Sequence, residues 1–198
     1  MAYDKFDEDK LTCEGTISSI YGDDKTRYFN NLSEVSGDFE NGSFDVVLMC
    51  NVLHEIEPSE WLSLFGADSP LVNLLKDEGS LLIVEDEEIP IGEKAYKQGF
   101  IVFGKAELRT LFNIAEAETG FISDDQREDG RLMAHLIPKT CLNQITAESI
   151  KAALKAKQQR AKEEIEHLRA GDASYKNGRR HGFWLQQYTN TSLVLETM

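Results

Sequence analysis

Apolar residues run together at two places in the chain. Val46, Val47, Leu48 and Met49 are consecutive within "FDVVLMC" (44–50), and residues 81–84 are consecutive apolar positions within "SLLIVED" (80–86). An unbroken run suits a strand covered on both faces, as in a parallel sheet. Both segments are therefore expected to be central strands. Between them, "SEWLSLFGADSPLVNLL" (59–75) predicts a helix interrupted around residues 66–70. Ser59 would cap it, with Glu60 beside its positive end. "KDEG" (76–79) supplies a stop and a turn.

The pattern then becomes helical and afterwards hairpin-like. "GKAELRTLFNIAEAETG" (104–120) places Leu108, Leu111, Phe112 and Ala115 at helical spacing. "FISDDQREDGRLMAHLIPKT" (121–140) reads as an antiparallel hairpin with an Asp-Gly turn. Ahead of Phe44 the signals are weaker. "LTCEGTISSIYG" (11–22) is rich in Thr, Ser and Ile and reads as a strand. "TRYFNNL" (26–32) reads as a second short strand, "GDD" (22–24) as a turn and residues 36–43 as a loop.

From Thr146 onward the periodicity is purely helical. A helix over 146–171 has a Thr cap, an acid in its first turn and a terminal Gly. Its apolar face is narrow: Ile150, Leu154, Ala161, Ile165 and Leu168. Asp172 can cap a second helix, in which Gly178 and Gly182 would let a neighbouring backbone come close. The expected architecture is an α/β sheet with an antiparallel edge strand over 1–146, followed by a helical hairpin over 147–198.

Charge sharpens that boundary. The net charge is −14, yet residues 1–146 hold 29 acids against 12 bases while residues 147–198 hold 6 against 9. The acidic part would repel a phosphate backbone, which argues against direct nucleic-acid binding by 1–146. No run of 18 apolar residues exists, so no transmembrane helix is expected and no membrane partner. The opening "MAYDKFDEDK" lacks the apolar core of a signal peptide. Three scattered cysteines (Cys13, Cys50, Cys141) suit free thiols in a reducing cytoplasm.

The segment "NGSFDVVLMCNVLHEI", followed by "LLKDEGSLLIVED", resembles class I S-adenosylmethionine-dependent methyltransferases. In that family a turn and "FD" open the fourth strand. That strand ends on a small or polar residue, and an "NVLH"-like segment follows. The fifth strand follows a leucine-rich segment and a Gly turn, matched here by Leu74, Leu75 and Gly79. Residues 121–140 look like the sixth and seventh strands, so the resemblance covers about 26–140. It implies a Rossmann-like sheet and S-adenosylmethionine as the methyl donor. It also implies that Cys50 and Asn51 face the donor's sulfonium end, and that Asn31 and Leu32, after the third strand, contact its adenine. Methyl transfer is an in-line attack that needs proximity, orientation and in some cases a base.

One part of the family pattern is missing. Its first strand leads into a glycine-rich turn resembling "DxGxGxG". The glycines ahead of Phe44 are Gly15, Gly22, Gly37 and Gly42, and no three have that spacing. The first strand normally lies mid-sheet, between the second and fourth. About 30 more residues, the size of a strand–helix–strand unit, would be needed. Three expectations follow: an upstream segment completes the sheet, a partner chain does, or residues 1–22 rearrange to fill the gap. The chain is thus read as an incomplete methyltransferase, or alternatively as an inactive methyltransferase-like scaffold. The methyl acceptor is unspecified, although no "NPPY"-type tetrapeptide follows the fourth strand, which counts modestly against methylation of base amino groups.

The individual candidates carry two readings each. His54 is read first as a packing residue at a helix entry and second as a catalytic base. "HEIEP" is not a zinc-protease motif, since Pro58 stands where the second His is needed. "EDEE" (85–88) reads as a solvated strand end before a cation site. Cys50 reads as a small pocket-lining residue before a reactive thiol. Lys151, Lys155, Lys157, Arg160 and Lys162 read as a solvated helix surface. The alternatives are a basic face for RNA or an acidic partner, or a face docked on the acidic part of the same chain.

Overall fold

The computed structural model describes residues 2–3, 10–22, 28–86, 100–124 and 132–198. Its larger sheet contains β3 (Phe44–Cys50), β4 (Leu75–Asp86), β5 (Ile122–Asp124) and β6 (Leu132–Pro138), in the order β3-β4-β6-β5. β3 runs parallel to β4, whereas β6 is antiparallel to both β4 and β5. The antiparallel strand is therefore internal, one place in from the edge that the sequence reading gave it. A second sheet of two strands pairs β1 (Ala2–Tyr3) in parallel with β2 (Tyr28–Phe29) across α1 (Lys10–Tyr21). α2 (Leu32–Asp38) then leads to β3.

The remaining helices are α3 (Trp61–Phe65), α4 (Pro70–Leu74), α5 (Lys105–Leu111), α6 (Lys139–Leu142), α7 (Ala147–Ala170) and α8 (Tyr175–Thr197). All six contribute to one core with Met49, Leu81, Ile83 and Ile137 of the larger sheet. Trp61, Phe65, Leu108, Leu111, Leu142, Ile150 and Val194 belong to that core. The opposite sheet face is different. Val46 and Leu48 are 49% and 58% exposed, and Leu132 on β6 and Ile122 on β5, farther across the same face, are exposed as well. Leu82, Val84, Ala134 and Leu136 on the same face are partly exposed. β3 is therefore an edge strand open on one face, not a strand buried on both. The apolar run 44–50 misled because its side chains alternate between a packed face and an open one.

Other expectations change for local reasons. Residues 11–21 are helical rather than extended. Thr16 Oγ1 donates to the Thr12 carbonyl at 2.9 Å and Ser19 Oγ to the Thr16 carbonyl at 2.7 Å, so the hydroxyls bond back within the helix. No residue of α1 is buried. Of 26–32 only Tyr28–Phe29 is strand among the described residues, and α2 occupies part of the expected loop 36–43. Most of the expected turn 22–24 and of the hairpin tip lies outside the described residues.

Ser59 sits inside a 3-10 turn, Pro58–Glu60, and caps nothing; Ser69 caps α4 by accepting from the Leu71 N–H. α5 stops at Leu111, and Asn113 takes a left-handed φ of 49° that ends the helical path well before residue 120. At 76–79 the chain already belongs to β4, with a register shift opposite Phe44 and Val46.

The helical hairpin is as read, with different hardware. Thr146 caps α7 by accepting from the Ser149 N–H, and Ser149 Oγ donates to the Leu111 carbonyl at 2.7 Å, tying α7 to α5. Ile150, Leu154, Ala161, Ile165 and Leu168 are all buried. α8 is capped by Ser174 rather than Asp172; Asp172 instead accepts from Ser174 Oγ at 2.8 Å. Nothing lies within 4 Å of a Cβ built at Gly178 or Gly182, so no neighbouring backbone comes close to either.

Candidate active site

β3 and β4 end side by side, and the chain leaves β3 through a tight reversal. Asn51 donates its N–H to the Val84 carbonyl at 2.8 Å, and its Oδ1 accepts from the Asp86 N–H at 3.0 Å. Its φ of 53° is left-handed, which Asn tolerates better than most residues. The reversal delivers a 3-10 turn, Leu53–Glu55, to the carboxyl end of β4.

Glu85 organises that turn. Its Oε1 accepts from the Val52 N–H at 3.2 Å and the Leu53 N–H at 2.8 Å. Its Oε2 accepts from His54 Nδ1. Glu85 is 1% exposed and His54 5%, so this is an interior network. Two backbone donors at the start of the turn would otherwise be poorly satisfied, and a carboxylate is a strong acceptor for them. The bond to Nδ1 fixes the ring's tautomer and leaves Nε2 as the nitrogen able to accept a proton. Phe100 meets the ring edge-to-face at 5.0 Å between centroids. Nε2 is itself buried, 4.0 Å from Glu55 Oε1.

Cys50, Asn51 and His54 are thus brought together at one strand end, with Cys50, Asn51 and Val52 exposed there. Asn31 and Leu32 stand after β2 of the other sheet, in the connection to α2 and at its first residue. The Asn31 carbonyl accepts from the Glu34 N–H at 3.1 Å, opening α2, which starts at Leu32. Glu85 was missed by sequence reasoning. The "EDEE" run reads as a solvated strand end, yet Glu85 points to the packed face, two positions on from Ile83 in the alternation of β4. That alternation was the signal that could have found it. Among the described residues no group of three His, Cys, Asp or Glu is placed to hold a metal ion. No helix among them is long and apolar enough to cross a membrane.

The basic helix face splits in two. Lys151, Lys155 and Lys162 are exposed, while Lys157 is 2% exposed. Lys157 Nζ lies 4.5 Å from the Trp184 ring centroid and 5.7 Å from that of Phe183. Arg160 stacks on the same Trp184 at 5.2 Å and reaches Glu107 of α5 at 3.4 Å. Burial brings the Lys157 ammonium down to about 7, against the pull of Glu107. Lys157 thus packs on aromatic rings of α8, and of the five basic residues Arg160 is the one that reaches the acidic portion of the chain, through Glu107.

No family model matches the chain, and no curated protein matches it.

Proposed function

We propose that the chain carries the donor-facing wall of an S-adenosylmethionine-dependent methyltransferase and becomes active only when its sheet is completed. The observation that carries this reading is the parallel β3–β4 pair, whose carboxyl ends gather Cys50, Asn51, His54 and Glu85. Ligands of open α/β sheets bind beyond such strand ends. The order of strand, strand and antiparallel hairpin supports the resemblance to class I enzymes. The split into a two-stranded and a four-stranded sheet agrees with a missing central strand.

The residues present fit one side of the donor and not the other. Cys50 and Asn51 are small and exposed, as the sulfonium end requires. No glycine-rich turn is available to approach the rest of the cofactor closely. The bound donor would supply the electrophilic methyl group. The chain's own part is to orient the acceptor and to take its proton. Glu85 holds the Asn51–His54 reversal in place, and His54 Nε2 is the base, reached when the turn admits the acceptor.

Titration with S-adenosylmethionine, followed by backbone NMR shifts, tests the reading. Weak binding is expected, with shifts confined to Cys50, Asn51, Val52 and His54. No shifts at saturating donor, or shifts centred elsewhere, would sink it. The alternative reading, a methyltransferase-like scaffold without activity, is favoured by a different observation: the open apolar face around Val46 and Leu48.

A further inference from the structure

Residues 100–103 belong to no helix and no strand, yet Phe100, Ile101, Val102 and Phe103 are all buried. Their side chains alternate between two clusters. Ile101 and Phe103 join the core of the larger sheet, while Phe100 and Val102 join Phe183 and Trp184 of α8. A buried backbone outside any ladder must find its hydrogen-bond partners elsewhere. Here α8 supplies them. Gln187 Nε2 donates to the Phe100 carbonyl at 2.8 Å, and Gln187 Oε1 accepts from the Val102 N–H at 2.8 Å. Asn190, one turn further along the same helix face, donates Nδ2 to the Phe100 carbonyl at 3.2 Å. Gln187 is fully buried and Asn190 is 9% exposed.

Phe100 carries that hold to His54. Its ring meets the imidazole at 73°, with centroids 5.0 Å apart. Glu85 accepts from one corner of the imidazole, Nδ1. A single hydrogen bond leaves the plane of the ring free to swing about that corner. The edge-to-face contact with Phe100, a favoured arrangement of two rings, opposes the swing. The direction of Nε2 is thus set by Glu85 at one end and by the Phe100 ring at the other.

We propose that Gln187 and Asn190 are positioning residues for His54, acting through Phe100, so that the C-terminal helical hairpin is a working part of the site. The role rests on the reading of His54 as the base. Neither amide is bonded to the imidazole; both act on it through one backbone carbonyl. The orientation matters because about 1 Å of misplacement at a reacting group costs on the order of 100-fold in rate.

Nuclear magnetic resonance of the full chain, without donor or acceptor, tests the proposal. In the unaltered chain the Phe100 ring should displace the carbon-bound protons of His54 and cross-relax with them. Gln187→Leu should lose most of both signals. His54 should keep its proton on Nδ1 in that variant, because Glu85 still holds the corner. Asn190→Leu removes the longer of the two bonds to the carbonyl and should give a smaller loss in the same direction. Val194→Ala, on the same helix but in the sheet core, controls for lost stability alone and should leave the His54 protons where they are. His54 protons unmoved by Gln187→Leu, or moved as far by Val194→Ala, overturn the proposal. If Gln187→Leu does not fold, Asn190→Leu set against Val194→Ala decides in the same way. The readout is independent of the donor. A chain that shows the coupling but never binds S-adenosylmethionine loses the methyltransferase reading and keeps the link from α8 to His54. A chain that binds the donor without the coupling loses the link alone.

Discussion

The Glu85 carboxylate accepts from His54 Nδ1 and, through its other oxygen, from the Val52 and Leu53 N–H groups. One side chain of β4 thus fixes both the path of the chain beyond β3 and the orientation of the imidazole. Glu85→Ala removes three acceptor contacts from an interior site. A loss of about 3 kcal/mol is expected, since buried donors are left without partners. Glu85→Gln keeps one acceptor oxygen and should lose less, about 1–2 kcal/mol. Urea unfolding of both variants checks the order; equal losses would show that the carboxylate is not what holds the turn.

Lys157 predicts a pH dependence. Its ordinary value is 10.5 and burial lowers it to about 7 in the folded chain, where Glu107, Arg160 and Glu164 are the charged groups acting on it. Between those values the unfolded chain binds more protons than the folded one, so stability rises as pH rises through that window. Below about pH 7 the full penalty for a buried ammonium is present. Lys157→Met removes the penalty and should stabilise the chain by a few kcal/mol at neutral pH, on the order that such a shift implies. The difference in stability between the two proteins should shrink from pH 7 to 10. A difference that stays constant would mean Lys157 keeps its charge throughout.

Gln187 acts as a surrogate strand partner. It donates to the Phe100 carbonyl and accepts from the Val102 N–H, each at 2.8 Å, and Asn190 adds a bond to the same carbonyl at 3.2 Å. Gln187→Leu is nearly the same size but offers no polar atoms. Unfolding should become easier by about 1–3 kcal/mol, and amide exchange at Val102 should accelerate. Unchanged exchange at that single amide would contradict the bond.

Glycines separate by surroundings. A Cβ at Gly79 would sit 2.9 Å from the Lys76 carbonyl oxygen and 3.1 Å from that of Phe44, so Gly79→Ala should destabilise. Gly178 and Gly182 face open space inside a helix. Replacing either by Ala should stabilise by about 0.5–1 kcal/mol, because alanine loses less backbone entropy. Thermal melts of the three single variants give the comparison.

Much of this arrangement was legible in the chain and some of it was not. That 44–50 and 80–86 form strands, that β5 and β6 form a hairpin and that α7 has its apolar face followed from the sequence pattern. α1 did not, since its Ser and Thr hydroxyls satisfy helix carbonyls that a strand reading ignores. The exposure of Val46 and Leu48 was hidden because an apolar run does not say whether a second layer covers it. Of the candidate site, Cys50, Asn51 and His54 were found at the strand end. Glu85 was not, because a run of acids reads as solvated until the alternation of β4 is followed through it. Asn31 and Leu32 lie apart from that strand end, between β2 and α2 and at the first residue of α2.

The two bonds from Gln187 to Phe100 and Val102 span 87 and 85 positions of sequence. On a translating ribosome at about 5–20 residues per second, residues 100–102 emerge roughly 4–17 seconds before Gln187 can reach them. For that interval the nascent chain carries Phe100 and Val102 without the helix that seals them. A chaperone that holds apolar segments would have its opportunity there, and synonymous codon changes that slow translation between the two should lengthen it.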